Sequence, residues 1–375
     1  ALGDTTLDNE WGVMHYNLIN HNVLSQQSFG EFLLPNLWLP PLYAYYLYVL
    51  SFLNFEDHNF VLLVLFSQAV LASASVVIFY KINKLFFSQK ISLYGSLLFS
   101  FFPLYLYASA QISSISLTIF LAIYFYYYFF KIKENKKYIN ILLYSLIGGL
   151  LILVRREFIA IIILSSFYLF FFCKTPLKKV LLIILLTSLT VSPYLIRNYI
   201  IFEKIIIHSG FGYNLWQGNN PKSKVSGSEF VNEGFQNLID EIPKDKFYRL
   251  NEDKIFIQEA TKNIKENPLK YFSLYLKKFF SYLFIDVESN KLYYYNPFHY
   301  VPILLLSIIS LVGIMLSDKK SSSLNYLIII FIFYLFIFPI FAIQPRYKMY
   351  IIPFQIIFFN VFVNYIISKF YKKRF

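Results

Sequence analysis

Apolar runs of membrane-spanning length recur along this chain, and short polar connections separate them. A helix needs roughly 20 apolar residues to cross the hydrocarbon core of a bilayer. In hydrocarbon every backbone N–H and C=O group needs a partner within the protein, so such runs are expected to be helices. The pattern predicts nine spans, at about 59–81, 91–108, 112–130, 138–154, 157–173, 179–195, 298–316, 323–343 and 349–368.

Outside the long segment 196–296, most of the positive charges fall in every second connection between these runs, and the opposite set holds only Arg155, Arg156, Arg197, Arg346 and Lys348. Lysine clusters occupy 81–90, 131–137, 174–179, 319–320 and the tail 369–374. Cytoplasmic loops carry an excess of Lys and Arg, so these connections are expected to be cytoplasmic. Residues 1–58 contain no Lys or Arg and hold six acids, which predicts that this segment lies on the opposite side.

The apolar run at 40–54 is too short and too rich in tyrosine for an ordinary span. If it crossed, the acidic turn at Glu56 and Asp57 would be cytoplasmic and every later lysine cluster would be external. We therefore expect a juxtamembrane helix on the outer surface, begun by Pro40 and Pro41. A short true span is the alternative interpretation.

These features divide the chain into four segments. We expect a first external loop at 1–58, transmembrane helices at 59–195, a long external loop at 196–296 and C-terminal transmembrane helices at 297–375. The chain begins Ala-Leu-Gly-Asp, and we expect a further span upstream of it. The first half of the long loop is rich in Gly, Asn and Ser, which predicts irregular structure. Amphipathic or interfacial helices are expected at 250–268 and 269–285.

Composition agrees with a membrane protein, because 57% of the residues are hydrophobic and only 15% are charged. The net charge of +13 would suit a nucleic-acid partner, but membrane topology explains the placement of the lysines better. The single cysteine, Cys173, excludes a disulfide framework. No Cys/His cluster, HExxH motif or Gly-rich phosphate loop is present, so neither a metal nor a cofactor is expected.

Ionisable groups at the outer membrane face are costly and therefore mark candidate chemistry. Two acids, Asp8 and Glu10, lie in the first external segment, and four arginines lie at helix ends: Arg155, Arg156, Arg197 and Arg346. A carboxylate can accept a proton from an attacking hydroxyl, and guanidinium groups can bind phosphate oxygens through paired hydrogen bonds. The alternative is that the arginines bind lipid headgroups or helix C-termini, and that Asp8 is an ordinary N-cap acid.

Several stretches together resemble the family 39 type of GT-C glycosyltransferases, the bacterial relatives of protein mannosyltransferases and of the lipid A aminoarabinose transferase. The most specific stretch runs from Ser192 through Arg197–Asn198 to Gly218-Asn219-Asn220-Pro221. The shorter pieces are Asp8-Asn-Glu10-Trp, Pro40-Pro41-Leu-Tyr, Leu153-Val-Arg155-Arg-Glu157, Glu259-Ala260, Asn267-Pro268, Lys277 and Pro345-Arg346-Tyr347. The resemblance covers nearly the whole chain in the same order.

The resemblance implies a GT-C-like transmembrane helix bundle with an external juxtamembrane helix and one long periplasmic loop. It implies inverting transfer of a sugar from a polyprenyl-phosphate donor to an acceptor hydroxyl on a glycan, lipid or protein. Asp8 matches the catalytic acid/base position, with Glu10 as the rival. Arg155, Arg156, Arg197, Arg346 and Tyr347 match positions facing the donor phosphate. Tyr213, Asn214, Trp216, Asn219 and Asn220 match a substrate loop.

The chain departs from that pattern at the turn 110–115, which lacks the acid that many relatives place there. We therefore expect a metal-independent enzyme in the bacterial inner membrane, with its active site on the periplasmic or extracellular side. Two other functions are alternatives: a lipid-linked glycan transporter or flippase, and an O-antigen polymerase or ligase. A transporter would favour charged residues deep within the spans, and the sequence shows none there.

Overall fold

The computed structural model describes residues 6–55, 57–289, 295–317 and 321–372. The helices of the first half are α1 (Glu10–His21), α2 (Leu42–Ser51), α3 (Asp57–Asn83), α4 (Gln89–Ser100), α5 (Pro103–Ser109), α6 (Ile115–Asn135), α7 (Tyr138–Val154) and α8 (Phe158–Phe171). Those of the second half are α9 (Leu177–Phe202), α10 (Phe211–Gly218), α11 (Glu233–Asp240), α12 (Tyr248–Glu266), α13 (Pro268–Leu283), α14 (Pro297–Met315), α15 (Ser322–Ile337) and α16 (Ile352–Lys372). Short 3₁₀ helices follow at Phe338–Ile340 and Pro345–Tyr350. An antiparallel hairpin joins β1 (Gln27–Phe29) to β2 (Phe32–Leu34), with Gln27 opposite Leu34.

Among the described residues, six helices are long and apolar enough to cross a membrane. They are His58–Asn83, Ile115–Asn135, Leu177–Phe202, Pro297–Met315, Ser322–Ile340 and Ile352–Lys369. The pair α4 and α5 makes a seventh if it is counted as one broken span, with the break just before Pro103. The remaining two predicted runs, α7 and α8, are apolar helices of 17 and 14 residues. Every predicted run is therefore helical, and the all-α, multi-pass class is confirmed.

The juxtamembrane segment forms α2, which has only 10 residues. At about 1.5 Å per residue this helix is about half as long as the roughly 30 Å hydrocarbon core. Its length therefore favours a helix that does not cross the membrane.

The described chain packs into two compact units. The first comprises Ala1–Ile82, Tyr105–His208 and Lys244–Lys246. Within it α7 packs closely on α9. The two helices approach so closely at Gly149 that an added Cβ atom there would lie only 2.4 Å from Cβ of Thr190. At one end the two lysine-rich connections touch: Nζ of Lys136 donates to the carbonyl of Lys174, and Nζ of Lys179 donates to that of Lys136. Such contacts are expected if both connections lie at the same membrane face.

The second unit comprises Asn83–Leu104, Ser209–Pro243 and Phe247–Phe375. Its membrane helices α4, α14 and α16 pack together, and Nδ2 of Asn360 donates to Oδ1 of Asn83 at 2.8 Å. Its loop helices α10, α11 and α12 enclose a small core of Trp216, Phe235, Phe256 and Ala260. The long loop 196–296 thus contributes to both units rather than forming one of its own.

The prediction of irregular structure in the first half of the long loop is wrong for α10 and α11. Both helices are short, and their Gly- and Asn-rich sequence gives little local preference for a helix. They form because Trp216 and Phe235 bury their rings against Phe256 of α12, with ring centroids 4.9 and 5.4 Å from it. The predicted helices at 250–268 and 269–285 are confirmed as α12 and α13.

Candidate active site in the first unit

The segment before α3 is tied to the helices of its own unit by polar bonds in the protein interior. The hydroxyl of Tyr43 on α2 donates to Oε1 of Gln68 on α3 at 2.9 Å. Nε2 of Gln68 in turn donates to the carbonyl of Gln111, in the turn between α5 and α6, at 3.0 Å. Trp11 of α1 packs edge-to-face on Tyr43, with ring centroids 5.0 Å apart. These bonds give α1 a defined place against α2 and α3.

Asn9 anchors the chain between the two candidate acids. Its Oδ1 accepts hydrogen bonds from the backbone N–H groups of Trp11 and Gly12, which makes it the N-cap of α1. Its Nδ2 donates to the carbonyl of Ile112 at 3.1 Å. The cap residue therefore holds both the start of α1 and the turn between α5 and α6, and the backbone of Asp8 and Glu10 is fixed on either side of it.

The backbone before the cap folds directly onto α1. A Cβ atom at Gly12 would lie only 1.7 Å from the carbonyl oxygen of Leu7 and 2.7 Å from its carbonyl carbon. Only a residue without a side chain allows this approach. Gly12 therefore determines where Leu7, and the adjacent Asp8, lie relative to the helix.

This arrangement forms an open groove of about 1130 Å³, lined by residues 6–8, one face of α1, the end of α2 and the start of α3. Asp8 is exposed and lines the groove. Glu10 is also exposed but is not among the lining residues. Aromatic rings of Tyr16, Tyr48 and Phe52 form much of the wall. The structure thus distinguishes the two candidate acids by position, with Asp8 in the groove and Glu10 outside it.

His15 lies on the buried face of α1 and also lines the groove. It is only 9% exposed, and its ring stacks on Phe60 with centroids 4.8 Å apart and planes 13° from parallel. Within the described chain its Nε2 atom has no hydrogen-bond partner. Burial lowers the pKa of His15 from its usual value of 6.5, so the imidazole is neutral at pH 7. No sequence motif singles out this histidine, although its spacing of four from Trp11 places both on one helix face.

Three of the four predicted arginines belong to the same unit as Asp8. Arg155 and Arg156 lie in the connection between α7 and α8, where Nη1 of Arg156 is 3.4 Å from Nδ1 of His208. Nη1 of Arg197 on α9 donates to the carbonyl of Asn36 at 2.9 Å and to Oδ1 of Asn198 at 2.7 Å. None of these three is among the described residues that line the groove. Arg346 lies in the second unit, exposed, with its guanidinium 5.8 Å from the ring centre of Tyr347.

The predicted substrate-loop residues lie in α10 and the turn after it. Trp216 is buried in the small core of the loop, and the hydroxyl of Tyr213 donates to Oε1 of Glu229 at 2.6 Å. The three amides donate to backbone carbonyls: Asn214 to Gly210, Asn219 to Leu215 and Ile340, and Asn220 to Ser228. These bonds stabilise the fold of the loop. The residues at these positions therefore have a structural role.

Two buried lysines in the second unit were not singled out by the sequence. Nζ of Lys278 donates to the carbonyl of Gly218 at 2.6 Å, at the end of α10. Nζ of Lys348 donates to the carbonyls of Ser281 and Tyr282 at 2.7 and 2.9 Å, at the end of α13. Burial lowers the pKa of each lysine to about 7. Both satisfy carbonyl groups that a helix C-terminus leaves without partners.

Across the described residues, no group of three or more His, Cys, Asp or Glu side chains could hold a metal ion. Asp8 and the two histidines of the groove, His15 and His58, do not form such a group. The expectation of a metal-independent site therefore stays a prediction for experiment.

No family model matches the sequence, and no curated protein matches it either. The class of the protein follows from its fold: it is an all-α, multi-pass membrane protein with at least six helices of spanning length among the described residues. One of its two compact units carries an open groove that contains an exposed carboxylate.

Proposed function

We propose that this protein is an inverting glycosyltransferase that moves one sugar from a polyprenyl-phosphate donor to an acceptor hydroxyl. The observation that carries the proposal is the placement of Asp8, an exposed carboxylate in an aromatic groove that the start of the membrane-spanning helix α3 also lines. The resemblance of several motifs to family 39 GT-C enzymes supports the donor class. We place the reaction at the periplasmic or extracellular face of a bacterial inner membrane, because the groove lies in the acidic segment without Lys or Arg.

In the proposed reaction Asp8 accepts the proton of the acceptor hydroxyl as its oxygen attacks the anomeric carbon. A new C–O bond forms on one face of the sugar while the bond from that carbon to the phosphate oxygen breaks on the other. The configuration is therefore inverted, through a state with oxocarbenium character. The phosphate leaves with the bonding electron pair and needs charge stabilisation rather than a proton.

We assign that charge stabilisation to Arg155, Arg156 and Arg197 of the first unit, whereas Arg346 and Tyr347 belong to the second unit. A guanidinium has five N–H donors in a planar fork that matches phosphate oxygens. The two hydrogen bonds of Arg197 within the protein use only its Nη1 atom. These bonds, one of them to Asn36 in the loop before α2, hold the Arg197 side chain in one conformation. Phosphate binding would therefore cost less side-chain entropy.

A transfer assay tests the proposal. Membranes containing the protein are incubated with radiolabelled polyprenyl-phosphate sugars, and the label is followed into water-soluble, protein or new lipid fractions. We expect at least one donor to lose its label to an acceptor with inversion at the anomeric carbon. Label that changes membrane side while still attached to the donor lipid would instead identify a transporter.

The lysine distribution predicts that 1–58 and the loop helices lie on one side of the membrane. Cysteines introduced singly at Asn54 and Glu241, both exposed, should react with an impermeant thiol reagent in a Cys173→Ser background. A cysteine at Lys137, in a lysine-rich connection, is the matched control and should react only after permeabilisation. Labelling of Asn54→Cys only after permeabilisation would show that α2 crosses the membrane.

Sugar transfer should survive removal of divalent cations. A lipid monophosphate carries less charge than a pyrophosphate, and Mg²⁺ or Zn²⁺ would need several oxygen, nitrogen or sulfur ligands. We expect the initial rate in EDTA to match the untreated rate. Loss of activity in EDTA with recovery on adding Mg²⁺ or Mn²⁺ would contradict the metal-independent mechanism.

A further inference from the structure

The side chains that line the groove indicate which substrate of the reaction binds there. We propose that the groove binds a neutral carbohydrate, the acceptor, and that Nε2 of His15 forms a hydrogen bond with one of its hydroxyl groups. The identification of this ligand as the acceptor rests on the proposed function. Its chemical class rests on the groove alone.

The charge of the groove argues against a phosphate. Among its described lining residues there is no Lys or Arg, and Asp8 is the one acid. A phosphate placed here would be repelled by the Asp8 carboxylate and would have no cation to compensate its desolvation. The groove therefore does not suit an anion, and we assign the donor phosphate to Arg155, Arg156 and Arg197, which lie outside it.

The lining combines apolar rings with small neutral hydrogen-bonding groups. Tyr16, Phe52 and Phe55 are exposed aromatic side chains that border the groove. Thr6, Ser51 and Asn20 add hydroxyl and amide groups. A sugar presents C–H faces that pack on aromatic rings and hydroxyl groups that both donate and accept hydrogen bonds, so it suits both kinds of group.

His15 supplies the most specific observation. Its Nε2 atom is buried and without a partner in the described chain, which costs free energy unless a ligand supplies one. The stacking on Phe60 fixes the plane of the imidazole. Turning Nε2 toward another part of the protein would therefore cost free energy. A neutral imidazole nitrogen pairs naturally with a hydroxyl, which can act as donor or acceptor for either tautomer.

Ligand binding by the purified full-length chain in detergent tests this inference without requiring activity. The probes are the methyl glycosides of glucose, galactose, mannose and N-acetylglucosamine, with inorganic phosphate as the charged competitor, and binding is followed by saturation-transfer NMR. We expect saturable binding of at least one glycoside that phosphate does not displace. If no glycoside binds, or if phosphate displaces it, the inference is wrong.

Substitutions of His15 distinguish its proposed hydrogen bond to the ligand from the stacking of its ring on Phe60. His15→Phe keeps a ring against Phe60 but removes both nitrogens, and should weaken glycoside binding about tenfold, the effect of one well-made hydrogen bond. His15→Gln places an amide near the position of Nε2 and should bind within about threefold of wild type. His21→Phe is the matched control, because His21 is exposed at the end of the same helix and lies outside the groove, and should change nothing.

The melting temperature of His15→Phe should not fall, because the substitution removes a buried polar atom without a partner. A merely structural histidine would give the opposite pattern, with His15→Phe binding normally and His15→Gln unfolding or failing to bind. Glycoside binding without sugar transfer from any donor would refute the proposed function while supporting a carbohydrate site in the groove. Sugar transfer without glycoside binding would refute this inference alone.

Discussion

Asp8→Asn should lower the rate of sugar transfer about 10²–10⁴-fold, the usual contribution of a general base. The substitution keeps the size and shape of the side chain and removes only its ability to accept a proton at neutral pH. Among the described residues Asp8 takes part in no salt bridge, so the fold should not respond. The initial rate at saturating donor measures the effect, and the apparent affinity for the donor should change little.

Glu10→Gln is the control for Asp8→Asn. Glu10 is exposed in the first turn of α1 and lies outside the groove, so its replacement should remove only a weak favourable interaction with the helix dipole. Transfer should therefore continue near the wild-type rate. An inactive Glu10→Gln beside a fully active Asp8→Asn would identify Glu10 as the base. Normal rates in both variants would show that neither Asp8 nor Glu10 is the catalytic base.

Gly12→Ala should reduce sugar transfer on the order of 10²-fold, because a shift of about 1 Å in a catalytic group can cost that much. The added methyl group would lie 1.7 Å from the Leu7 carbonyl oxygen, so the backbone that carries Asp8 must move. Alanine is also a better helix former than glycine by about 1 kcal/mol, so α1 itself should persist. Transfer rate and helical circular dichroism, measured together, distinguish displacement of Asp8 from unfolding.

Gly234→Ala is the matched control for Gly12→Ala. Gly234 lies in helix α11, where the nearest atom to an added Cβ is Oδ1 of Asn232 at 3.7 Å. The same substitution therefore meets no backbone there, and the rate should not change. If Gly12→Ala transferred sugar normally while Asp8→Asn did not, Asp8 would be the base, but its position would not depend on the close approach of Leu7 to α1.

The membrane helices could be predicted from the sequence with small errors at their ends. The run 138–154 matches α7 to the residue, and Asn267-Pro268 marks the boundary between α12 and α13 as expected. The predicted span 179–195 extends to Leu177–Phe202, so Arg197 lies inside α9 rather than after it. Arg197 is tolerated there because its charge is met by Asn36 and Asn198.

The candidate site could be predicted only in part. Both acids were named, but their different relation to the groove depends on Asn9 and Gly12, whose partners are Ile112 and Leu7. His15 was passed over because a lone histidine in an apolar helix has no sequence signature of function. The buried lysines Lys278 and Lys348 were missed for a related reason, since lysine beside aromatic residues usually indicates an interface with lipid headgroups.

The sequence by itself determined the class of this protein, the positions of its apolar runs and the charge of each connection, whereas six of the nine predicted spans form single helices of spanning length among the described residues. These are local properties, because a run of apolar residues must form its own backbone hydrogen bonds in hydrocarbon whatever surrounds it. Only the tertiary structure decided that Asp8 and not Glu10 lines the groove, that His15 is buried beside it, and that Asn219 donates to the carbonyl of Ile340. Those outcomes depend on contacts between residues far apart in the chain, which the hydrophobic pattern does not encode.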